Sequence, residues 1–189
     1  MIMPQQLRYL VCIGAFLFVA ALQLNAAAAQ ESQPPIVLGV VDFDFIMNDS
    51  KAGKGVKGQY EEKRTSLDKE YEKQLKAFRG KEKDLAEQRK SMSEEDFKKK
   101  VDALDAEGKK IEKSLADRRR ALDSGLNKAV GQVRKSLLEI VTAIATKQKM
   151  TLVLNKANII LAAEGFDFTD EALKQINAKL PSVKLQASN

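Results

Sequence analysis

Few of the 189 residues have side chains whose spacing suggests chemistry. Asp42-Phe43-Asp44 is an Asp-x-Asp at the end of an apolar run. Alternation along a strand would put both carboxylates on one face, the start of a divalent-cation site. No third ligand follows at a useful spacing, so solvated strand-end carboxylates are the expectation. Ala52-Gly53-Lys54-Gly55 invites a phosphate-loop reading, and its spacing fails. Asn48 stands where the first glycine of that loop belongs, and Gly55 stands where a magnesium-holding Ser or Thr should follow the lysine. The chain has no His and one Cys, Cys12. It therefore has no Ser-His-Asp or Cys-His pair, no imidazole metal site and no disulfide within one chain. No enzyme activity, cofactor or metal is expected.

The remaining candidates bind rather than react. Lys98-Lys99-Lys100 and Arg118-Arg119-Arg120 are the densest positive runs. They are candidate contacts for an anionic partner such as lipopolysaccharide, phospholipid or an acidic polypeptide. Glu94, Glu95 and Asp96 offset the first triplet. Tyr60, Tyr71, Phe78, Leu85 and Phe97 recur at helical spacing. They read first as seam residues and second as apolar contacts for a bound polypeptide. Nucleic acid is not an expected partner, because the chain carries an export signal.

That signal occupies the N-terminus. Arg8 precedes an uncharged stretch whose apolar part, Leu10 to Leu22, has the length of a signal-peptide core. It is short for a membrane span, which needs roughly 20 residues. Cleavage is expected after Ala29 in the Ala26–Ala29 run, which would send a cysteine-free chain through the inner membrane of a Gram-negative-type cell or secrete it.

The elements that must position the candidates follow from periodicity. Ile36 to Phe43 reads as a buried strand, and Asp44 to Gly58 as a turn and frayed helix entry. Residues 51–120 contain 22 Lys+Arg, 16 Asp+Glu and no Pro, a net charge of +6. Apolar residues recur there at steps of 3, 4 or 7: Val56, Tyr60, Leu67, Tyr71, Leu75, Phe78, Leu85 and Met92, then Phe97 through Ile144. This is a narrow coiled-coil seam. Ser93 with Asp96 three residues on is a helix N-cap. Two antiparallel helices are thus expected, Lys51–Lys90 and Glu94–Lys147, with a tight turn at residues 91–93. At 1.5 Å per residue they run about 60 Å and about 80 Å, too long for a compact body. A projecting arm at 51–124 results. Gly80, Gly108 and Gly125 interrupt it, each costing about 1 kcal/mol against Ala, so the arm should bend or splay.

Met150–Leu154 and Ile159–Ala162 read as strands of a β-hairpin turning at 155–158. Thr169 reads as the N-cap of a last helix that Pro181 ends. The class is α+β: a small β-rich head from 30–50 and 125–189, bearing a long helical hairpin. Three short strands leave open edges, which oligomerisation would close.

Several segments together resemble the OmpH family of periplasmic chaperones. They are the exported precursor, VVDF-x-x-IM-x-x-SKAGK before a long charged helix, RRRALD in the return helix, VRKSLLEIVTAIA leading to LVLNKANIILA, and the closing FDFTDEALKQINAKLPSV. The resemblance implies a jellyfish-shaped homotrimer, with a β-barrel-like body and three helical tentacles around a cavity. Its members hold unfolded outer-membrane β-barrel proteins there without ATP and have no active site. The alternative is a structural or adaptor coiled-coil protein of the cell envelope, or a lipopolysaccharide or lipid binder.

Overall fold

A computed structural model describes residues 35–186. The signal-peptide expectation lies outside these residues. The order of elements is β1 (Leu38–Val41), α1 (Phe43–Asp49), α2 (Lys51–Gln88), a 3-10 turn (Arg89–Ser91), α3 (Glu94–Lys147), β2 (Leu152–Asn155) and α4 (Thr169–Lys179), with further 3-10 turns at Lys156–Asn158 and Glu164–Phe166.

The strand at the start is shorter than the apolar run suggests. Phe43 is the first residue of α1, and Asp42 is its N-cap, accepting the Phe45 N–H at 2.8 Å. The Asp-x-Asp pair is therefore not a strand-end pair. Asp42 caps a helix, and Asp44 sits in its first turn beside the positive end of the helix dipole. The expected frayed entry is likewise a sharp corner. Ser50 closes α1 by donating its N–H to the Ile46 carbonyl and opens α2 by accepting the Gly53 N–H on its hydroxyl. A Cβ at Gly53 would collide with the Met47 carbonyl oxygen. That glycine belongs to the corner and not to a phosphate site.

The arm forms as its periodicity predicts. α2 and α3 run for 38 and 54 residues, about 57 Å and about 81 Å. Ser93 caps α3, its hydroxyl accepting the Asp96 N–H at 3.1 Å and donating to the Asp96 carboxylate at 2.7 Å. Neither helix breaks at Gly80, Gly108 or Gly125. Two of these glycines have packing reasons that the sequence conceals. Gly125 is buried, and the Phe78 ring lies where a Gly108 Cβ would come within 3.0 Å of it. α3 ends with Lys149 in the left-handed conformation, φ 56°. The Met150 N–H reaches back to the Ala145 carbonyl and the Lys149 N–H to that of Thr146, the double bond of a Schellman cap.

Among the described residues the body holds two strands, not three. β1 and β2 pair in parallel, Leu38 opposite Leu152 and Val41 opposite Asn155. A parallel pair needs a long crossover, and here the arm supplies it. The expected hairpin does not form. Asn155 accepts the Ala157 N–H on its side chain and starts a 3-10 turn, and Ile159–Ala162 joins no strand among the described residues. The other edge of β1 goes to a later segment: Val40 bridges Asp167 and accepts the Phe168 N–H at 3.0 Å. Thr169 is correspondingly not an N-cap. It is the first residue of α4, and its hydroxyl accepts the Asp42 N–H at 2.8 Å.

The core sits where α1, the root of α2, the second half of α3, and α4 meet. From Leu122 onward α3 buries Gly125, Ala129, Val133, Leu137, Ile140, Val141 and Ile144 against Ile46, Val56, Ala172 and Ile176. Val183 and Leu185 pack on the same core. The Gln59 amide pins that tail, donating to the Val183 carbonyl at 2.8 Å and accepting the Leu185 N–H at 3.0 Å. The helix spacing that looked like one continuous seam thus has two functions. Past Leu122 it faces a core, and before that it faces only the other arm helix.

Candidate functional site

The arm carries every binding residue that the sequence nominates. Its two helices mirror one another about the turn, so α2 residues counted outward meet α3 residues counted inward. Tyr60 is half-buried near the root, its hydroxyl donating to the Asp123 carboxylate at 2.9 Å. That hydrogen bond, with some burial, raises the Tyr60 pKa by favouring its protonated form. Tyr71, Phe78, Leu85 and Phe97 are half-buried along the seam. Phe78 lies over Gly108. Phe97 lies under the Arg89 guanidinium, 4.5 Å from ring centroid to Cζ, a cation–π contact that closes the tip.

The two basic triplets are less available than their density suggests. Arg118 pairs with Glu70 at 2.9 Å and Arg119 with Asp68 at 2.9 Å, both across to α2. Arg120 pairs within α3 with Asp117 at 2.9 Å. The Arg118 hydrogen bond holds the Glu70 carboxyl below its ordinary range. Lys113 does the same to Asp117. Lys99 pairs with Glu95 at 2.7 Å, and Lys100 donates to the Gln88 side chain at 3.3 Å. Lys98 is exposed and makes no ion pair among the described residues. The facing acids Asp68, Glu70, Glu107 and Asp123 are the residues that sequence reasoning missed. Their signal is positional. An arginine flanking the seam of one helix needs an acid at the mirrored position of the other, visible once the turn is placed at 91–93.

A second surface lies on the body. Ile160 and Leu161 are 105% and 88% exposed, and Phe45, Leu152, Leu154 and Phe166 are exposed near the strands. Together with Val40, Phe45, Lys156 and Asp167, Ile160 and Leu161 line an open cleft of about 550 Å³. The neck of this loop is an ion pair, Lys156 to Asp167 at 2.7 Å. Burial alone would raise the Asp167 carboxyl. Lys156, the Thr169 hydroxyl and the Thr169 N–H together outweigh that and bring its pKa down to about 2. No helix among the described residues is long and apolar enough to cross a membrane. No cluster of three acids, His or Cys there could hold a metal.

Likeness to known proteins agrees with this architecture. A crystal structure from Caulobacter crescentus CB15, described as a candidate outer membrane chaperone (OmpH-like), superposes with a TM-score of 0.76 over 87% of this chain and 97% of that one. Sequence identity is 15%, so this likeness speaks for the fold. No curated protein matches the chain. The family model for OmpH-like outer membrane proteins matches residues 37–176, from the first strand into the last helix. The chain belongs to the OmpH-like family.

Proposed function

We propose that this protein is an ATP-independent periplasmic holdase that shelters unfolded outer-membrane β-barrel proteins between helical arms. The observation that carries the reading is the division of the chain into a core-bearing body and a charged hairpin, residues 68–121, that reaches about 30 to 40 Å beyond it with no fully buried side chain. Such an arm adds nothing to the body's packing and makes physical sense as a surface for something else. Unfolded barrel chains expose alternating apolar residues and strand edges, which aggregate unless shielded.

The assembly in this reading is a homotrimer joined through the bodies. An unpaired apolar segment, Ile159–Ala162, and exposed Leu152 and Leu154 on a two-stranded sheet support it, because another copy would cover them. The basic excess of the arm draws acidic clients toward it. A lipopolysaccharide or phospholipid role finds less support. Five of the six nominated cations are already held by acceptors within the chain.

The test is dilution of a urea-unfolded outer-membrane barrel into buffer with the purified exported chain and no nucleotide, followed by light scattering. Suppressed scattering at a few-fold excess is expected. Aggregation equal to that in buffer alone defeats the chaperone reading. Sedimentation equilibrium of the chain should give three protomers, and a monomer defeats the trimer.

A further inference from the structure

The large hydrophobic side chains exposed among the described residues all belong to the body or to its segment of α3: Ile36, Val37, Phe45, Leu138, Leu152, Leu154, Ile160, Leu161 and Phe166. None lies on the arm. As it stands, the arm therefore shows a partner mostly charge, aliphatic stems and the edges of half-covered seam residues. Its apolar groups (Tyr71, Leu75, Phe78, Leu85 on α2 and Leu104, Ile111, Leu115 on α3) all face the seam and are half-buried there. A closed arm has little to offer the apolar residues of an unfolded barrel.

The closure is weak. Between residues 68 and 121 no side chain is fully buried. What spans the two helices there is a set of exposed polar links: Asp68–Arg119 and Glu70–Arg118 at 2.9 Å, the Lys81–Glu107 pair, and Gln88–Lys100 at 3.3 Å. Exposed pairs of this kind contribute about 0–1 kcal/mol each and are screened by salt. The Lys81–Glu107 pair joins two residues that each neighbour a glycine, Gly80 and Gly108. Both helices are thus softest at one level, beside the Phe78 contact. Below Leu122 the buried face of α3 prevents any such opening.

We propose that the seam of the arm between residues 68 and 121 is itself the binding surface for apolar, extended segments of an unfolded polypeptide. It is displayed when α2 and α3 part, and the cross-helix ion pairs are its clasp. The proposal rests on the chaperone reading and names the surface that does the holding. Partial opening trades half-covered seam contacts for contacts with the client, so it proceeds only when a client is there to take them.

Two manipulations of the exported chain test it, with a urea-unfolded outer-membrane barrel as the probe. In the first, Lys81→Cys and Glu107→Cys are joined by a short, reducible thiol crosslinker. Tethering should lower barrel affinity about tenfold or more, and reduction should restore it. Undiminished affinity in the tethered arm overturns the proposal. In the second, the same ion pairs are broken from opposite sides, as Asp68→Asn with Glu70→Gln, and as Arg118→Gln with Arg119→Gln. Both should speed amide exchange across 71–115 and tighten barrel binding a few-fold. Simple charge attraction instead predicts opposite effects, tighter for the first pair and weaker for the second, and that outcome overturns the seam. If the unmodified chain does not bind the barrel at all, the chaperone reading fails and takes the seam with it. Binding by the unmodified chain that ignores the tether sinks the seam alone.

Discussion

In the body, Ile46, Leu137 and Ile176 are fully buried, and a Cβ added to Gly39 would strike the Met150 sulfur and the Phe168 ring. In the arm, across residues 68–121, no side chain is fully buried, and a Cβ added to Gly80 would meet nothing within 4 Å. Both regions are built from the same helices, α2 and α3, with apolar residues at the same spacing. They differ in what faces that spacing. Below Leu122 the stripe meets α1 and α4 as well as the partner helix, and the packing is three-dimensional. Above it each helix has one neighbour, and beyond Leu67 two helices alone leave every seam side chain partly in water. The body is held by burial. The arm is held by helix propensity, a thin seam and ion pairs, each small. A region of the second kind opens at low cost, which suits a surface that must yield to clients of many shapes.

Three pairs of changes probe this contrast, each with one member per region. The largest difference should come from truncating leucines. Leu137→Ala in the body should cost about 2–5 kcal/mol in urea unfolding, because it opens a cavity in a closed core. Leu104→Ala in the arm, already half in water, should cost about 1 kcal/mol or less. Equal losses would mean that the arm is as much a core as the body.

Glycine replacements should differ in sign. Gly39→Ala forces Met150 and Phe168 apart and should cost about 1–3 kcal/mol. Gly80→Ala fills open space in a helix interior and should stabilise the chain by up to about 1 kcal/mol, read as a higher melting temperature. Destabilisation by Gly80→Ala would reveal a contact or a bend at that level.

Acid should separate the regions least. The Asp167 carboxyl has its folded pKa depressed to about 2, against an ordinary 3.8. A depressed acid contributes stability above its unfolded pKa and loses it as pH falls through the folded value. The contribution, on the order of 1 kcal/mol after solvent screening, should therefore be complete above about pH 4 and vanish toward pH 2. Asp167→Asn should flatten that part of the stability–pH curve. Glu70→Gln, removing a carboxyl that Arg118 also depresses, should leave the curve unchanged, because both partners are largely in water. An equal change from Glu70→Gln would show the arm ion pairs to be stronger than their exposure suggests.

Most of the arm was legible in the sequence. Its helix limits, its turn and the Ser93 cap follow from a 3.6-residue period and a polar signature within four residues, and local rules suffice for local structure. The candidate site was legible only in outline. Tyr71, Phe78, Leu85 and Phe97 do line the seam, but the acids that engage Arg118 and Arg119 lie some fifty residues away and appear only when the hairpin is registered. The body was misread where partners are distant. Ile159–Ala162 has the composition of a strand, yet a 3-10 turn that Asn155 caps follows β2 in place of a hairpin turn, and the segment pairs with neither strand among the described residues. Local rules place Asp42 at a strand end and Thr169 at a helix cap. In the fold Asp42 caps α1, and its own N–H is held by the Thr169 hydroxyl, 127 residues away in sequence.

The amino-acid sequence by itself determined that this chain, which has no His, does no imidazole chemistry, and that a long charged hairpin projects from a small apolar remainder. Composition and period are properties of neighbouring residues, and a helix of this length forms wherever they are met. Tertiary structure alone decided which stretch of the shared stripe becomes core and which stays a thin seam, that β1 and β2 run parallel, and that the arginine triplet is largely spent on the facing helix. Those outcomes depend on which distant segments reach a given edge or face, and burial and pairing reward only the segments that arrive.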